Sequence, residues 1–386
     1  MTTPNASRMR RQPLDYRQED VGRIMQRWIA GESCSLVGVG SVGKSNLMQH
    51  LANPEVQTEY MKITSGQKFN TIIIDPSMLG PLPADSKESE QIGCWLGYEL
   101  MMHRLYLAFH QSDLLTKQEI ERFGDIYQQL ADGSNPLYAY MGLRYFELGL
   151  EILMSKGIRI VFMFDEFEDM LRTLPIKFFL TLRGLRDANK RQLSYLTFTR
   201  IPMLSIIEEA QIDPLKIEEF TELFTDNIFF IGPYDNRDAH RMVNELCERN
   251  KKDYDEHMKA FLVWATGGFA GLLRASFRML DYLPNLDLSA IMTHSPDLAR
   301  ELSRMTSVRT ECKTIWLSLS PDERYVLKTA AGLTPDQSEI HPEATEYLVR
   351  KKLLGHSGSG QSGIAINPPI FHYFVLHDAE ASLSVR

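Results

Sequence analysis

The chain has 386 residues, of which 44% are hydrophobic and 24% charged, with a formal net charge of -8 at pH 7. This length suits two or three domains. The negative net charge argues against a protein that coats nucleic acid, because the surface of such a protein is basic throughout. Cys34, Cys94, Cys247 and Cys312 lie far apart without CxxC spacing, which predicts buried reduced thiols rather than a disulfide or metal framework. Because no stretch resembles a secretory signal or a membrane span, we expect a cytoplasmic protein with no membrane contact.

Apolar runs predict strands that alternate with helices over the first 233 residues. Helical spacing of apolar residues predicts a helix over 18–30, a helix that begins near Lys44, and another over about 175–188. A long helical region from about 86 to 156 is broken by turn and cap residues. The five predicted strands cover 33–39, 70–75, 158–164, 193–200 and 227–233. The run at 158–164 is apolar on both faces, as a central parallel strand requires, so we expect a doubly wound α/β domain with a mainly parallel five-stranded sheet.

From Tyr234 onward the pattern is helical, and it changes again near residue 307. The last part reads as helices followed by a glycine- and serine-rich stretch, 355–363, between two apolar segments. This stretch is either a flexible linker or, as we prefer, the turn of a hairpin. Three helices and a hairpin are the outline of a winged helix.

The segment "GVGSVGKS", 38–45, fits the pattern G-x-x-x-x-G-K-[ST] between a predicted strand and a predicted helix. Such a loop wraps consecutive backbone N–H groups around phosphate oxygens, and glycine permits the close, left-handed path. Lys44 would neutralise the β and γ phosphates, Ser45 would bind Mg²⁺, and the helix would direct its positive end at the anion. The predicted nucleotide-binding residues are Gly38, Gly40, Ser41, Val42, Gly43, Lys44, Ser45 and Asn46. A glycine-rich turn that matches by chance is the alternative.

Hydrolysis needs groups beyond the loop, and Asp165 and Glu166 end the buried strand at its carboxyl end, where ligands bind in open α/β sheets. Asp165 would hold Mg²⁺ through water, and Glu166 would orient and deprotonate the attacking water. The alternative is a solvated helix start, in which acids favour the positive end of the helix dipole. That alternative fits Glu168 and Asp169 better than Asp165.

Arg200 closes the next strand, directly after Thr199. It would contact the γ phosphate through two parallel hydrogen bonds. A surface arginine at a strand end is the alternative, but the order of the three motifs along the chain favours the phosphate role.

Taken together, these motifs resemble those of the STAND ATPases and of the related origin-recognition branch of the AAA+ proteins, over almost the whole chain. The matching segments are "LDYRQED" (14–20), "GVGSVGKS" (38–45), "VFMFDE" (161–166), "TFTR" (197–200), "TGGFAGLLRA" (266–275) and the region from 307 onward. The resemblance implies an adenine-pocket motif, Walker A, Walker B, a sensor arginine, a lid motif and a winged helix. It implies four segments: 1–31, an N-terminal arm with the adenine-pocket helix; 32–232, a P-loop ATPase core; 233–306, a helical lid; and 307–386, a winged helix.

Two positions depart from the family pattern. Tyr16 stands where glycine is usual, which leaves Arg17 as the match in the adenine motif, and Ala270 replaces the usual lid proline. Arg274 resembles a lid sensor arginine that contacts the phosphates, or is a helix-surface arginine. His377, in "VLHD", resembles a histidine with which some STAND proteins hold ADP. Candidate arginine fingers are Arg183, Arg186 and Arg191, although a solvated helix face explains them equally well.

Three functions are compatible with this reading. We favour a slow, Mg²⁺-dependent ATPase that acts as a switch, with ATP and ADP states that control conformation, homo-oligomerisation and the binding of a separately encoded protein partner. The alternative is a DNA-associated initiator or loader, which would use its winged helix, the cations Arg350, Lys351 and Lys352, and a basic arm at Arg8, Arg10 and Arg11. A scaffold without turnover is disfavoured because all the hydrolytic residues are present.

Overall fold

The computed structural model describes residues 12–62, 68–80, 89–134, 137–283, 293–334, 341–356 and 364–378. The chain divides into two compact units. The first contains the residues up to 36, 45–199 and 203–229, and the second contains 37–44, 200–202 and the residues from 230 onward. The glycine-rich loop therefore belongs to the same unit as the C-terminal helices, whereas the four segments derived from the sequence stay a prediction.

Five strands form one sheet in the order β2-β3-β4-β1-β5. Their bounds are β1 Cys34–Val37, β2 Lys68–Ile74, β3 Ile158–Phe164, β4 Leu193–Thr199 and β5 Ile228–Phe230. Strand β3 pairs in parallel with β2, Ile158 opposite Lys68, and with β4, Ile160 opposite Leu193. The predicted α/β class and five-stranded sheet are confirmed.

The central strands are buried because helices cover both faces of such a sheet. All seven residues of β4 are buried, and in β3 only Arg159 is partly accessible. Aromatic rings of β3 and β4 pack together, with Phe162 and Phe164 each contacting Tyr195. The Tyr195 hydroxyl donates a hydrogen bond of 2.7 Å to the Leu182 carbonyl, which satisfies the one polar atom that this ring buries.

Ten α-helices and one short 3₁₀-helix, Pro76–Met78, are described up to residue 229. The α-helices are α1 Gln18–Ala30, α2 Lys44–Leu51, α3 Pro54–Met61, α4 Ser89–Phe109, α5 Lys117–Ala131, α6 Tyr138–Met154, α7 Phe167–Thr173, α8 Ile176–Ala188, α9 Met203–Glu209 and α10 Pro214–Thr221. The long helical region is three helices, and α5 begins at a capping box formed by Thr116 and Glu119. Helices α3, α9 and α10 were not predicted, because seven or eight residues are too few to show a helical period.

Eight α-helices, one short 3₁₀-helix, Leu280–Tyr282, and a hairpin are described after residue 230. The α-helices are α11 Asn236–Asn250, α12 Glu256–Thr266, α13 Ala270–Met279, α14 Pro296–Arg304, α15 Thr306–Leu317, α16 Pro321–Ala330, α17 Pro342–Arg350 and α18 Pro369–Asp378. Strands β6 Leu354–His356 and β7 Ile364–Ile366 are antiparallel. The predicted order of three helices and two strands is present in α15–β7, while the winged-helix assignment stays a prediction. Most of the predicted turn, 357–363, lies outside the described residues.

The cysteines and the helices also test two expectations from composition. All four cysteines are free and buried, as predicted, and burial raises the pKa of the Cys34 thiol to about 12. Among the described helices, none is both long and apolar enough to cross a membrane.

Candidate nucleotide site

The glycine-rich loop connects β1, which ends at Val37, to α2, which begins at Lys44. Ser41 and Gly43 have left-handed backbones, with φ of 64° and 95°. Alternation of right- and left-handed residues turns successive N–H groups toward one side, which makes a concave anion site. Sequence reasoning expected the glycines to supply the left-handed path, but within the loop only Gly43 does so, and Ser41 is the other left-handed residue.

The two earlier glycines are required by close approach rather than by φ. A Cβ on Gly38 would lie 3.1 Å from the Ile231 carbonyl, and one on Gly40 would lie 2.5 Å from the Thr314 methyl carbon. Gly43 is confined as well, since a Cβ there would lie 3.1 Å from the Tyr234 hydroxyl. The loop is therefore confined by the Ile231 carbonyl and by the side chains of Thr314 and Tyr234, all in its own unit.

Lys44 bends back over this loop. Its ammonium group donates hydrogen bonds to the carbonyl of Gly38 and, at 3.4 Å, to the carbonyl of Val39. The side chain is half-buried, as is Asn46, while Ser45 is exposed. An ammonium group held over such a loop is able to neutralise phosphate oxygens.

Helix α13 begins at the loop. The Gly271 N–H, in its first turn, donates a hydrogen bond of 2.9 Å to the Ser41 carbonyl. Before it, Gly268 has φ of 78° and its carbonyl accepts a 3.0 Å hydrogen bond from the Tyr234 N–H, so a side chain at this turn would be both strained and crowded. Arg274 is exposed three residues after Gly271, and residues three apart share a helix face. The face of α13 that touches the loop thus also carries the predicted sensor arginine.

Helix α15 and the residue after it also contact this loop. The Gly40 N–H donates a 2.9 Å hydrogen bond to the Ser318 hydroxyl, and the Ser41 hydroxyl donates to the Glu311 carboxylate. Sequence reasoning missed Tyr234, Glu311 and Ser318, because no local motif marks them. These residues are recognised only by their contacts with the loop, which join residues up to 278 positions apart.

The acidic motif follows β3. The Asp165 N–H donates a 2.9 Å hydrogen bond to Ile74 of β2, and the Asp165 carboxylate accepts a 3.0 Å bond from the Glu166 N–H. Glu166 is exposed, has a left-handed backbone with φ of 40°, and precedes α7. Glu168 and Asp169 lie in the first turn of α7, where the helix-start interpretation placed them. Asp165 and Glu166 precede that helix, and their roles at a nucleotide stay a prediction.

Arg200 follows Thr199, the last residue of β4. Thr199 is fully buried and Arg200 is half-buried. Strands β3 and β4 run in parallel, so their carboxyl ends, Phe164 and Thr199, lie at the same edge of the sheet. Functional side chains collect at that edge in open α/β sheets.

The adenine-motif residues are buried in the first unit. Arg17 has a left-handed backbone with φ of 46°, is 5% exposed, and donates a 3.0 Å hydrogen bond to Asp20. Tyr16, at the position of the family glycine, packs its ring edge-on against His50 of α2, with centroids 5.1 Å apart. Burial lowers the pKa of His50 to about 4, against the opposing effect of Asp15. Tyr16 thus fills space beside α2 that a glycine would leave empty.

The remaining candidates are the arginine fingers, His377 and the basic arm. Arg183 pairs with Asp187 at 2.7 Å, and Arg186 donates to Asp187 at 3.2 Å, so two of the three proposed fingers already hold internal contacts. Arg191 has a left-handed backbone. His377 is exposed in the last turn of α18. The predicted basic arm at 8, 10 and 11 lies outside the described residues.

The predicted basic cluster at the end of α17 requires a correction. Lys351 is fully buried and its ammonium group lies 2.5 Å from the Glu323 carboxylate, which is also buried. It is therefore unable to face DNA. Arg350 pairs with Glu346 and lies over the Phe230 ring, 5.2 Å from its centroid. Residues 350–352 therefore do not form the cluster of three exposed cations that the sequence suggested.

Mg²⁺ fits the chemistry of the predicted donors. Hydroxyl and carboxylate oxygens, such as those of Ser45 and Asp165, are the ligands this ion prefers, and it completes its shell with water and substrate phosphates. Within the described ranges no group of three or more His, Cys, Asp and Glu side chains is arranged to hold a metal without such help. The residues present fit an ion that arrives with a nucleotide.

Comparisons with known proteins extend this picture at the level of the fold. No family model and no curated protein matches the chain. The ORC2 protein of Aeropyrum pernix, solved in ADPNP and ADP complexes, is 12% identical, with 97% of this chain and 94% of that chain covered and a TM-score of 0.50. A Walker-type ATPase of Pyrococcus abyssi is 16% identical over 93% and 95% of the two chains, with a TM-score of 0.48. Cdc6p of Pyrobaculum aerophilum is 12% identical over 98% and 96%, with a TM-score of 0.42. The likeness to ORC2 shows that this chain shares the α/β fold of that protein.

Proposed function

We propose that the protein is an ATP-binding and ATP-hydrolysing switch, of the STAND or AAA+ kind, whose nucleotide state controls its conformation and self-association. The observation that carries this proposal is the set of hydrogen bonds from the phosphate loop to α13 and to Ser318. A ligand that moves the loop acts on these helices without an intermediary. A switch requires such differential contacts, because a ligand shifts an equilibrium only by its unequal affinity for the two states.

The proposed chemistry assigns one role to each predicted residue. Loop N–H groups from 38–45 and the Lys44 ammonium group would hold the β and γ phosphates, with Asn46 in the first turn of α2. Ser45 and Asp165 would bind Mg²⁺, which supplies charge neutralisation when present, and Glu166 would orient and deprotonate water. Arg200 and Arg274 would contact the phosphates, and Arg17 would lie by the base. Because α13 carries Arg274 and contacts the loop, loss of the γ phosphate would change the contacts of that helix directly.

The proposal also covers association with partners. ATP would favour a homo-oligomer, and a separately encoded protein would read that state, whereas ADP would favour the monomer. DNA binding by the C-terminal helices receives less support, because Lys351 is buried and Arg350 is paired. A salt-dependent affinity for random duplex DNA would restore that alternative.

The first test is nucleotide binding and hydrolysis by two variants. Lys44→Ala should weaken MgATP binding about a hundredfold, the scale of one strong hydrogen bond to a charged group. Glu166→Gln should keep the affinity but lower kcat by roughly 10² to 10⁴, as loss of a general base does. Calorimetry and phosphate release measure these quantities.

Matched controls are Lys216→Ala and Glu218→Gln, two exposed positions on α10. They should behave as the unaltered protein does. Size-exclusion chromatography then tests the switch: Glu166→Gln with ATP should elute as a larger species than it does with ADP. Absence of ATP binding in the unaltered protein, or one elution volume for both nucleotides, would contradict the proposal.

A further inference from the structure

One face of α15 lies along the phosphate loop within the second unit. Glu311, Thr314 and Ser318 have the spacing i, i+3 and i+7, which places them on one side of a helix and its first following turn. Each of the three lies against the loop: Glu311 at Ser41, and Thr314 and Ser318 at Gly40. The contact is therefore made by a row of side chains and not by one residue.

The hydrogen bonds in this row have defined directions. The Ser318 hydroxyl donates its proton to the Thr314 carbonyl at 2.6 Å, so its oxygen is an acceptor for the Gly40 N–H at 2.9 Å. The Ser41 hydroxyl donates to the carboxylate of Glu311. An N–H and an O–H of the phosphate loop are thus satisfied by oxygen atoms of the C-terminal helices.

Glycines on both sides make room for this arrangement. A Cβ on Gly40 would lie 2.5 Å from Thr314, and a Cβ on Gly271 would collide with the Glu311 carboxylate and lie 2.7 Å from the Ser41 Cβ. A larger residue at 40 would crowd Thr314 of α15, and one at 271 would displace the Glu311 carboxylate. The Glu311 carboxylate therefore fits between α13 and the loop because Gly40 and Gly271 have no side chains.

The charge of Glu311 has a consequence at a site for phosphates. Fixed negative charge opposes polyphosphate binding, and a triphosphate carries one more negative charge than a diphosphate. The opposition is thus larger for the triphosphate. Ser41 occupies the middle of the loop, where the phosphate chain passes. The Glu311 carboxylate would therefore weaken triphosphate binding more than diphosphate binding.

We propose that Glu311 is a specificity-determining residue that makes the loop favour a nucleoside diphosphate over the triphosphate. It accepts the Ser41 hydrogen bond in the diphosphate state and leaves the loop when a triphosphate binds, which frees α15. This inference rests on the proposed nucleotide binding and adds the residue that sets its preference.

The test is calorimetric titration with MgADP and with an imidotriphosphate analogue of ATP, on the unaltered protein and on Glu311→Gln. Glutamine keeps an acceptor for the Ser41 hydroxyl and removes the charge. The ADP/ATP-analogue affinity ratio should fall roughly tenfold, the scale of one charge pair about 10 Å apart near a protein surface. Glu301→Gln on α14, exposed and of the same unit, is the charge-matched control and should leave the ratio unchanged.

A second variant protects the test against misfolding. Ser41→Ala removes the hydroxyl that holds the carboxylate and leaves the backbone donors in place, so the ratio should fall in the same direction. A ratio within twofold of the unaltered protein in the variants that fold would overturn the inference while leaving nucleotide binding intact. Absence of binding by either nucleotide to the unaltered protein is a different result. It would overturn the proposed function and this inference together.

Discussion

Two segments carry cations that the sequence assigns to polyanions, the phosphate loop at 38–45 and the segment 350–352, and they differ in what those cations contact. In the loop, Lys44 lies over main-chain carbonyls of Gly38 and Val39. In the second segment, Lys351 is buried against Glu323, and Arg350 is paired with Glu346. To bind a phosphate, Lys351 and Arg350 would have to break their ion pairs with Glu323 and Glu346.

The comparison teaches that the number of basic residues in a segment is a poor guide to a nucleic-acid surface. Glu323 is buried and caps α16, where it accepts a 2.9 Å hydrogen bond from the Ser320 N–H. A buried carboxylate needs a partner, and Lys351 supplies it. Burial and pairing, which no local pattern reports, decide that this lysine serves the fold.

The largest effect is expected from breaking the buried pair. Lys351→Met should lower the free energy of unfolding by about 3 to 5 kcal/mol, because it leaves the Glu323 carboxylate buried without its countercharge. Chemical denaturation measures the change. The double variant with Glu323→Leu should recover much of the loss, because no buried charge remains. If Lys351→Met is as stable as the unaltered protein, the lysine is available to an external ligand and the contrast between the segments fails.

A second prediction concerns the pH dependence of stability beside the glycine-rich loop. It rests on His50 of α2, the helix that follows the loop. Its pKa is lowered by burial from 6.5 to about 4, so the unfolded chain takes up a proton at a higher pH than the folded chain does. The stability that neutral His50 provides is thus complete above pH 6.5 and is lost as the pH falls toward 4. At pH 5 the loss should be roughly 2 kcal/mol.

His50→Gln should remove this step. Unfolding free energies at pH 7.5 and pH 5 should differ less in the variant than in the unaltered protein. The exposed His377→Gln is the control for replacement of a histidine as such. Equal pH dependence in His50→Gln and the unaltered protein would show that His50 is not the group responsible.

The smallest effect concerns DNA. A lysine or arginine that contacts a phosphate changes the slope of log affinity against log salt by about one unit. Because Arg350 is paired with Glu346 and lies over Phe230, Arg350→Ala should leave the slope for a random duplex unchanged, as fluorescence anisotropy would show. A slope reduced by about one would place this segment on DNA and revive the loader hypothesis.

Much of the fold could be predicted because its signals are local. The strand Ile158–Phe164 and the helix Gln18–Ala30 were predicted with their observed bounds, since apolar runs and helical spacing are legible within a dozen residues. The short helices α3, α9 and α10 were missed, because they span about two turns and their periods do not show. Strand order was not predicted, since the pairing of β4 with β1 and β1 with β5 depends on chain crossovers.

The candidate site divides in the same way. Its glycine-rich loop, acidic pair and strand-end arginine are each a motif of a few consecutive residues, so the sequence by itself was enough to predict which residues would meet a nucleotide. The tertiary structure decided what surrounds the loop and which cations are accessible. Glu311 meets Ser41 across 270 residues, and Lys351 meets Glu323 in the interior. Such partners are selected by packing between distant segments, and packing leaves no periodic or local trace in the chain.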